Sequence, residues 1–134
     1  MKRRLGLGSI VGLALLVAAS VPAVSAGPAA TTPNLSQQAK LMAADATQRD
    51  YLGHSVAISA DGTIAVAGAW GRGRGVGTAY VFSLSGGVWS QQQRLNASDP
   101  VNGDQFGTSV AVSSDGTTAI VGAESKASSA GVVR

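Results

Sequence analysis

The side chains capable of chemistry are few, and their spacing argues against catalysis. His54 is the only histidine in the chain. The serines have no histidine base in triad order and no G-x-S-x-G elbow occurs, so a triad hydrolase finds no support. His54 itself reads as a solvated or turn-packed ring. The absence of Cys excludes thiol nucleophiles, zinc–cysteine sites, iron–sulfur clusters, disulfide scaffolds and lipidated lipoprotein N-termini together. Glycines at alternate positions from Gly71 to Gly77 look like a phosphate-cradling loop. Such a loop must open a helix whose N-terminus holds the phosphate, and here Thr78–Phe82 follows with a strand pattern. Arg72 and Arg74 in that loop read as solvated side chains, with a sulfated or uronic glycan as the ligand they could otherwise face. No catalytic, cofactor-binding or metal-ligating residue is assigned, no cofactor is expected, and the chain is read as a non-enzyme.

The elements that would position these residues are strands. The chain has 134 residues, 45% of them hydrophobic and only 13% charged, with 18 glycines. That length allows one small domain and excludes a two-domain enzyme. A composition rich in Gly, Ala, Val, Ser and Thr favours short strands and turns over a helical bundle. Lys2, Arg3 and Arg4 precede an apolar run from Leu5 to Ala19, and small residues end at Val24-Ser25-Ala26. This is the pattern of a secretory signal peptide over 1–26, cleaved after Ala26. A membrane anchor is the alternative, but the run is short and broken by glycine. Residues 27–35 read as a linker. Beyond residue 26, seven basic and seven acidic side chains balance, so the net charge of +3 belongs to the leader and implies no nucleic-acid partner. The expected location is secreted, extracellular or periplasmic, with no stable membrane span after cleavage.

Self-comparison reveals a repeat. Residues 36–69 and 90–123 align without a gap at an offset of about 54 residues, with roughly 19 of 45 comparable positions identical. The matches include Leu41/Leu95, Asp45/Asp99, Asp50/Asp104, Gly53/Gly107, Ser55/Ser109, Asp61-Gly62/Asp115-Gly116 and Gly68-Ala69/Gly122-Ala123. Within a unit, Ser55–Ser59 alternates, Ala60-Asp61-Gly62 makes a hairpin turn, and Thr63–Ala69 is an apolar run covered on both faces. Gly71–Gly75 reads as a loop, Gly77–Ser83 as a third strand, Gly86-Gly87 as a turn and Val88–Leu95 as a polar fourth strand. An apolar inner strand and a Gln-rich outer one are what a blade of a radial stack needs, because only the outermost strand meets water. A two-sheet sandwich with a duplicated motif is the alternative.

The second unit carries Trp89 to Leu95, Ala97-Ser98-Asp99, Gly103-Asp104, Phe106-Gly107 and Val121-Gly122-Ala123. The pattern resembles the FG-GAP repeat of bacterial exported proteins, related to the β-propeller of integrin α-subunits. In the first unit the Phe-Gly pair appears as Leu52-Gly53. The resemblance covers about residues 36–134, in units 36–89 and 90–134, the second incomplete. It implies an all-β fold of four-stranded antiparallel propeller blades, about one and a half of them in this chain. It also implies calcium-binding loops in many family units. Here the loops after Gly68-Ala69 and Gly122-Ala123 read Trp70-Gly-Arg-Gly-Arg-Gly and Glu124-Ser-Lys-Ala-Ser-Ser, which cannot supply six to eight oxygens. Asp45, Asp50, Asp99 and Asp104 are read instead as turn caps through side-chain-to-backbone bonds. Trp89 and Tyr80 are expected to pack between blades.

A strand at about 36–42 would complete the outer edge of a blade not otherwise present, and Arg134 aligns with the middle of a third strand. The chain is therefore expected to be the N-terminal fragment of a larger propeller, or else a short product that self-associates through open strand edges. The expected role is extracellular binding or adhesion toward an unknown protein or glycan ligand, through the segments 45–53 and 70–76. The alternatives are the N-terminal part of a secreted propeller enzyme whose catalytic residues lie downstream, and a truncated product without its own activity.

Overall fold

A computed structural model describes residues 35–126 and the backbone of 13–16. Most of the leader expected at 1–26, the linker up to residue 34 and the chain beyond 126 lie outside the described residues.

Strand β1 (Leu13–Leu16) pairs antiparallel with β2 (Ala39–Met42). The next four strands, β3 (Ser55–Ile58), β4 (Ile64–Ala69), β5 (Thr78–Ser85) and β6 (Val88–Leu95), form one antiparallel meander in sequence order. After it, β7 (Phe106–Val112) and β8 (Ala119–Ala123) repeat the first two strands of that meander as a second sheet. This is blade architecture, one blade complete and the next begun, and not a sandwich. The strand at 36–42 takes no place in the four-stranded sheet, as the repeat reading requires. Because β1 falls inside the expected leader, cleavage after Ala26 would free that edge of β2. Among the described residues, no helix is long and apolar enough to cross a membrane.

The polarity gradient follows position. The inner strand β4 is buried from Ala65 to Ala69, whereas β6 is mostly exposed along its Ser-Gln run. The first hairpin turns on Asp61, whose carboxylate accepts bonds from the Ser59 hydroxyl and from Thr63 N (3.0 Å) and Oγ1 (2.8 Å), while Gly62 takes φ +71°. Asp115 does the same for the second hairpin with Ser113, Thr117 and Gly116. An Asx turn with a positive-φ glycine is the local chemistry that closes both.

The four-stranded sheet buries both faces. Ala65, Ala67, Tyr80 and Phe82 share one face by register and cluster with Leu41, Ala43 and Leu52; Trp89 packs against them. Val66 and Ala79 lie on the other face and cluster with Phe106, Val121 and Ala123 of the second sheet, with Val81, Leu95, Val110 and Val112 alongside. The two sheets meet at glycines. Ser55 Oγ donates to the Gly107 carbonyl at 2.8 Å, a Cβ on Gly68 would collide with that carbonyl, and one on Gly77 would collide with the Phe106 backbone. Phe106 N donates to Val76 O at 3.0 Å, and a parallel bridge joins Gly77 to Phe106. A cleft of about 540 Å³, lined by Val66, Val81, Leu95, Val112 and Ala119 among others, remains between the sheets.

Candidate functional site

The segments 43–54, 70–77 and 96–105 all run from one end of the sheets, and backbone bonds tie them together. Gly71 N donates to Asp50 O (3.2 Å) and Gln105 N to Gly75 O (2.7 Å). A Cβ on Gly71 would strike both the Arg49 carbonyl and the Tyr51 ring, so the close approach of 49–51 to 70–71 depends on glycine there.

The loop expected at Gly71–Gly75 contains one irregular helical turn, α1 (Arg72–Gly75), in which Gly73 and Arg74 both adopt φ +62°. This turn aims Arg72 inward, so the expectation of a solvated side chain is corrected. Arg72 Nη1 donates to Asp45 O at 2.8 Å and to Asp50 Oδ2 at 2.9 Å, and Nη2 to Asp45 Oδ2 at 2.9 Å. Arg94 Nη1 reaches the same Asp45 oxygen at 2.6 Å, and Tyr80 OH donates to Asp45 Oδ1 at 2.8 Å. Asp50, only 3% exposed, also accepts from Thr47 N (2.9 Å) and Oγ1 (2.6 Å).

The second unit builds the same knot with a lysine. Lys126 Nζ lies 3.0 Å from Asp104 Oδ2, 3.1 Å from Asp99 Oδ2 and 2.7 Å from the Asp99 carbonyl. Asp104 accepts from Val101 N at 2.8 Å. The turn-cap reading thus holds for Asp50 and Asp104. It is corrected for Asp45 and Asp99, whose carboxylates are taken by cationic side chains. Fixed positive charge beside them is the physical reason.

The electrostatics follow. Burial would raise the Asp45 carboxyl, but the bonds from Tyr80 and Arg94 and the charges of Arg72 and Arg94 outweigh it and hold the group below its ordinary value. Burial likewise opposes ionisation of Asp104, and Lys126 with the Val101 amide overcomes it. The Tyr80 hydroxyl is pushed up to about 12, first by burial and then by its bond to the Asp45 carboxylate. Oxygens already held by an arginine, a lysine, a tyrosine and backbone amides do not suit a calcium ion, which needs six to eight free ligands. Among the described residues no three Asp, Glu, His or Cys side chains gather in a way that could hold a metal.

On the outside of this knot lies an aromatic group that sequence reasoning did not assemble. Tyr51 stacks on Trp70, with centroids 4.7 Å apart and planes within 5°, and the exposed His54 ring meets Trp70 edge-on at 6.0 Å. Tyr51 is 50% exposed. Trp70 Nε1 is buried with no hydrogen-bond partner among the described residues. Arg49 and Arg74 are exposed nearby in sequence, both at positive φ. Trp70 and Tyr51 align with Glu124 and Gln105, so the repeat comparison gave them no prominence. The pairing of Arg72 with Lys126 was visible at the repeat offset and was the available clue to the ionic knot.

Two stretches of the chain, residues 35–82 and 89–132, match the FG-GAP repeat profile. The chain belongs to the FG-GAP repeat family. The second FG-GAP match begins on β6, the outer strand of the four-stranded sheet, and continues into β7 and β8 of the next, which is why the sequence repeat and the blade are out of phase. The geometry also explains the family's signature: Phe106-Gly107 of one unit seats on Gly68-Ala69 of the unit before it. FG-GAP units are structural repeats of propellers and are typically extracellular. No curated protein sequence matches the chain significantly.

Proposed function

We propose that this FG-GAP chain is an exported, non-catalytic module for extracellular binding or adhesion, the N-terminal part of a larger β-propeller. The blades act as a rigid support and the loop end presents the contact surface. The observation that carries this reading is the convergence of 45–53 and 70–76 at one end, where Tyr51, Trp70 and His54 form an aromatic surface. Arg49 and Arg74, exposed in the same two segments, add positive charge suited to an acidic glycan or an acidic protein segment. The leader pattern at Lys2-Arg3-Arg4 and Leu5–Ala19 supports export. The carboxylates at this end, Asp45, Asp50, Asp99 and Asp104, are held in ion pairs with Arg72, Arg94 and Lys126.

The test is retention of the purified chain on surfaces coated with sulfated, uronic or neutral polysaccharide, and on whole cells. Binding that falls at least about tenfold in Tyr51→Ala and in Arg74→Ala supports the reading. Binding that is unchanged in both variants assigns the contact elsewhere and overturns the loop end as the site.

A further inference from the structure

Three places in the chain put an Asn or Asp directly before a glycine: Asp61-Gly62, Asn102-Gly103 and Asp115-Gly116. Such a pair can close into a cyclic imide, because the glycine amide lies within reach of the side-chain carbonyl carbon and no Cβ shields it. Two groups must be available for this, the amide that attacks and the carbonyl that receives it. The fold withdraws both at the aspartates. Gly62 N donates to Ser59 O at 3.0 Å and Gly116 N to Ser113 O at 2.9 Å. The flanking Ser and Thr groups engage each carboxylate, holding Asp61 below its ordinary value and bringing Asp115 to about 2. An ionised carboxylate is a poor electrophile.

Asn102 differs on each count. Its side chain is a neutral amide, a labile group in proteins, and both Asn102 and Gly103 are exposed. A Cβ on Gly103 would meet nothing within 4 Å, and among the described residues nothing accepts a bond from Gly103 N. The openness of this turn is a property of the repeat: Gln48 and Arg49, its equivalents in the first unit, are exposed with the second unit packed beside them. Asn96 is protected by contrast, since Ala97 after it is buried and its Oδ1 accepts from Thr78 Oγ1 at 2.9 Å.

We propose that Asn102 is a spontaneous modification site, converted in the folded chain through a cyclic imide to isoaspartate and aspartate. Gly103 N bonds to Asn102 Cγ, and its proton leaves with the side-chain nitrogen as ammonia. Water then opens the imide. Addition at the backbone carbonyl carbon of Asn102 routes the main chain through the side chain as isoaspartate, and addition at Cγ gives aspartate. Isoaspartate adds a methylene to the main chain inside a turn closed by two bonds, Asp104 N to Val101 O (3.2 Å) and Val101 N to Asp104 Oδ2 (2.8 Å). That turn aims the buried Asp104 at Lys126, 3.0 Å away, so the longer chain opens the ionic knot of the second unit. The first unit closes its turn the same way, with Thr47 N on Asp50 Oδ2 (2.9 Å) and Asp50 N on Thr47 O (3.3 Å). It carries Gln48-Arg49 there, which needs a larger ring and puts a side chain beside the attacking amide.

Ageing the purified chain in warm, mildly alkaline buffer tests this, read by tryptic mapping and an isoaspartate assay. The peptide 95–126 gains the mass of an amide-to-acid exchange and splits into isoaspartate and aspartate forms at Asn102. Asn96 in the same peptide stays intact, and Asp61 and Asp115 form isoaspartate at least about tenfold more slowly. Asn102→Gln, which copies the first unit, stops the conversion. The separated isoaspartate form melts at least about 4 °C below the fresh chain. Asn102→Asp, which adds the charge without the methylene, melts close to the fresh chain. An Asn102 that stays intact in the folded chain while it converts in urea would overturn the proposal, as would conversion of the folded chain that begins at Asn96, Asp61 or Asp115. An isoaspartate form that melts with the fresh chain would overturn the opening of the knot.

Discussion

Arg72 and Lys126 stand one repeat apart, and each bridges an equivalent pair of aspartates, Arg72 at 2.9 Å from both Asp45 and Asp50, Lys126 at 3.1 and 3.0 Å from Asp99 and Asp104. Each cation comes from the loop after the second strand of its sheet and pins the turn that leads into the first strand. The residue that repeats is thus a positive charge, not a particular side chain. Each cation gathers a carbonyl and two carboxylates, the arginine through the two Nη atoms of its planar fork and the lysine through a single ammonium.

Removing that charge should expose its structural role. Asp50 is nearly fully buried, so Arg72→Met leaves a carboxylate without its partner and should cost on the order of 3 kcal/mol. Arg72→Lys, which copies the second unit, should cost about 1 kcal/mol, because the planar two-nitrogen geometry is lost and the charge is kept. Combining Arg72→Met with Asp50→Asn should be milder than Arg72→Met alone. Urea midpoints of the three variants check the order; equal losses would remove the ion pair as the cause.

Acid should unfold the chain through the same carboxylates. Asp45, Asp61 and Asp104 are held below their ordinary value in the folded state, and Asp115 falls to about 2, chiefly through the Ser113 hydroxyl and the Thr117 amide and hydroxyl. Groups depressed by folding stabilise fully above their unfolded value, near pH 4, and lose that contribution as pH falls through the folded one. The urea midpoint should therefore drop from about pH 4 toward pH 2. Asp115→Asn should flatten the lowest part of that drop.

The alkaline limb belongs to Tyr80 and to Lys126, whose ammonium the Asp104 carboxylate holds above its ordinary value. The Tyr80 hydroxyl is raised to about 12, so its stabilisation is complete below about pH 10 and disappears as pH rises through the folded value. Tyr80→Phe should lower stability at pH 7 by about 1–2 kcal/mol, the worth of a bond to a charged acceptor. It should also remove the corresponding high-pH step in phenolate absorbance. A step that persists in the variant would remove Tyr80 as its source.

Much of the blade was legible because it is written locally. Period-two alternation, Asp-Gly turns with their flanking Ser and Thr, and the apolar run of β4 are short-range signals, and the repeat doubled each of them. Strand ends differed by a residue or two, as at β5, which continues to Ser85. The candidate site was less legible because its contacts are non-local. Arg72 meets Asp45 across 27 positions and Arg94 meets it across 49, and no local pattern announces either. Tyr51 and Trp70 meet only because Gly71 admits the backbone of Arg49.

The glycines of the junction give the sharpest contrast between the two units. Gly68 has ordinary backbone angles, yet a Cβ there would strike the carbonyl of Gly107, a backbone group with no room to yield. Gly68→Ala should push the sheets apart and cost about 2–3 kcal/mol, typical of overpacking at a closed contact. At the equivalent Gly122 the nearest atom is the Ser109 hydroxyl, which can rotate away. Gly122→Ala should therefore leave the chain's own stability within about 0.5 kcal/mol of wild type. Thermal melts of the two variants check the contrast, and equal losses would remove the Gly107 carbonyl as the cause.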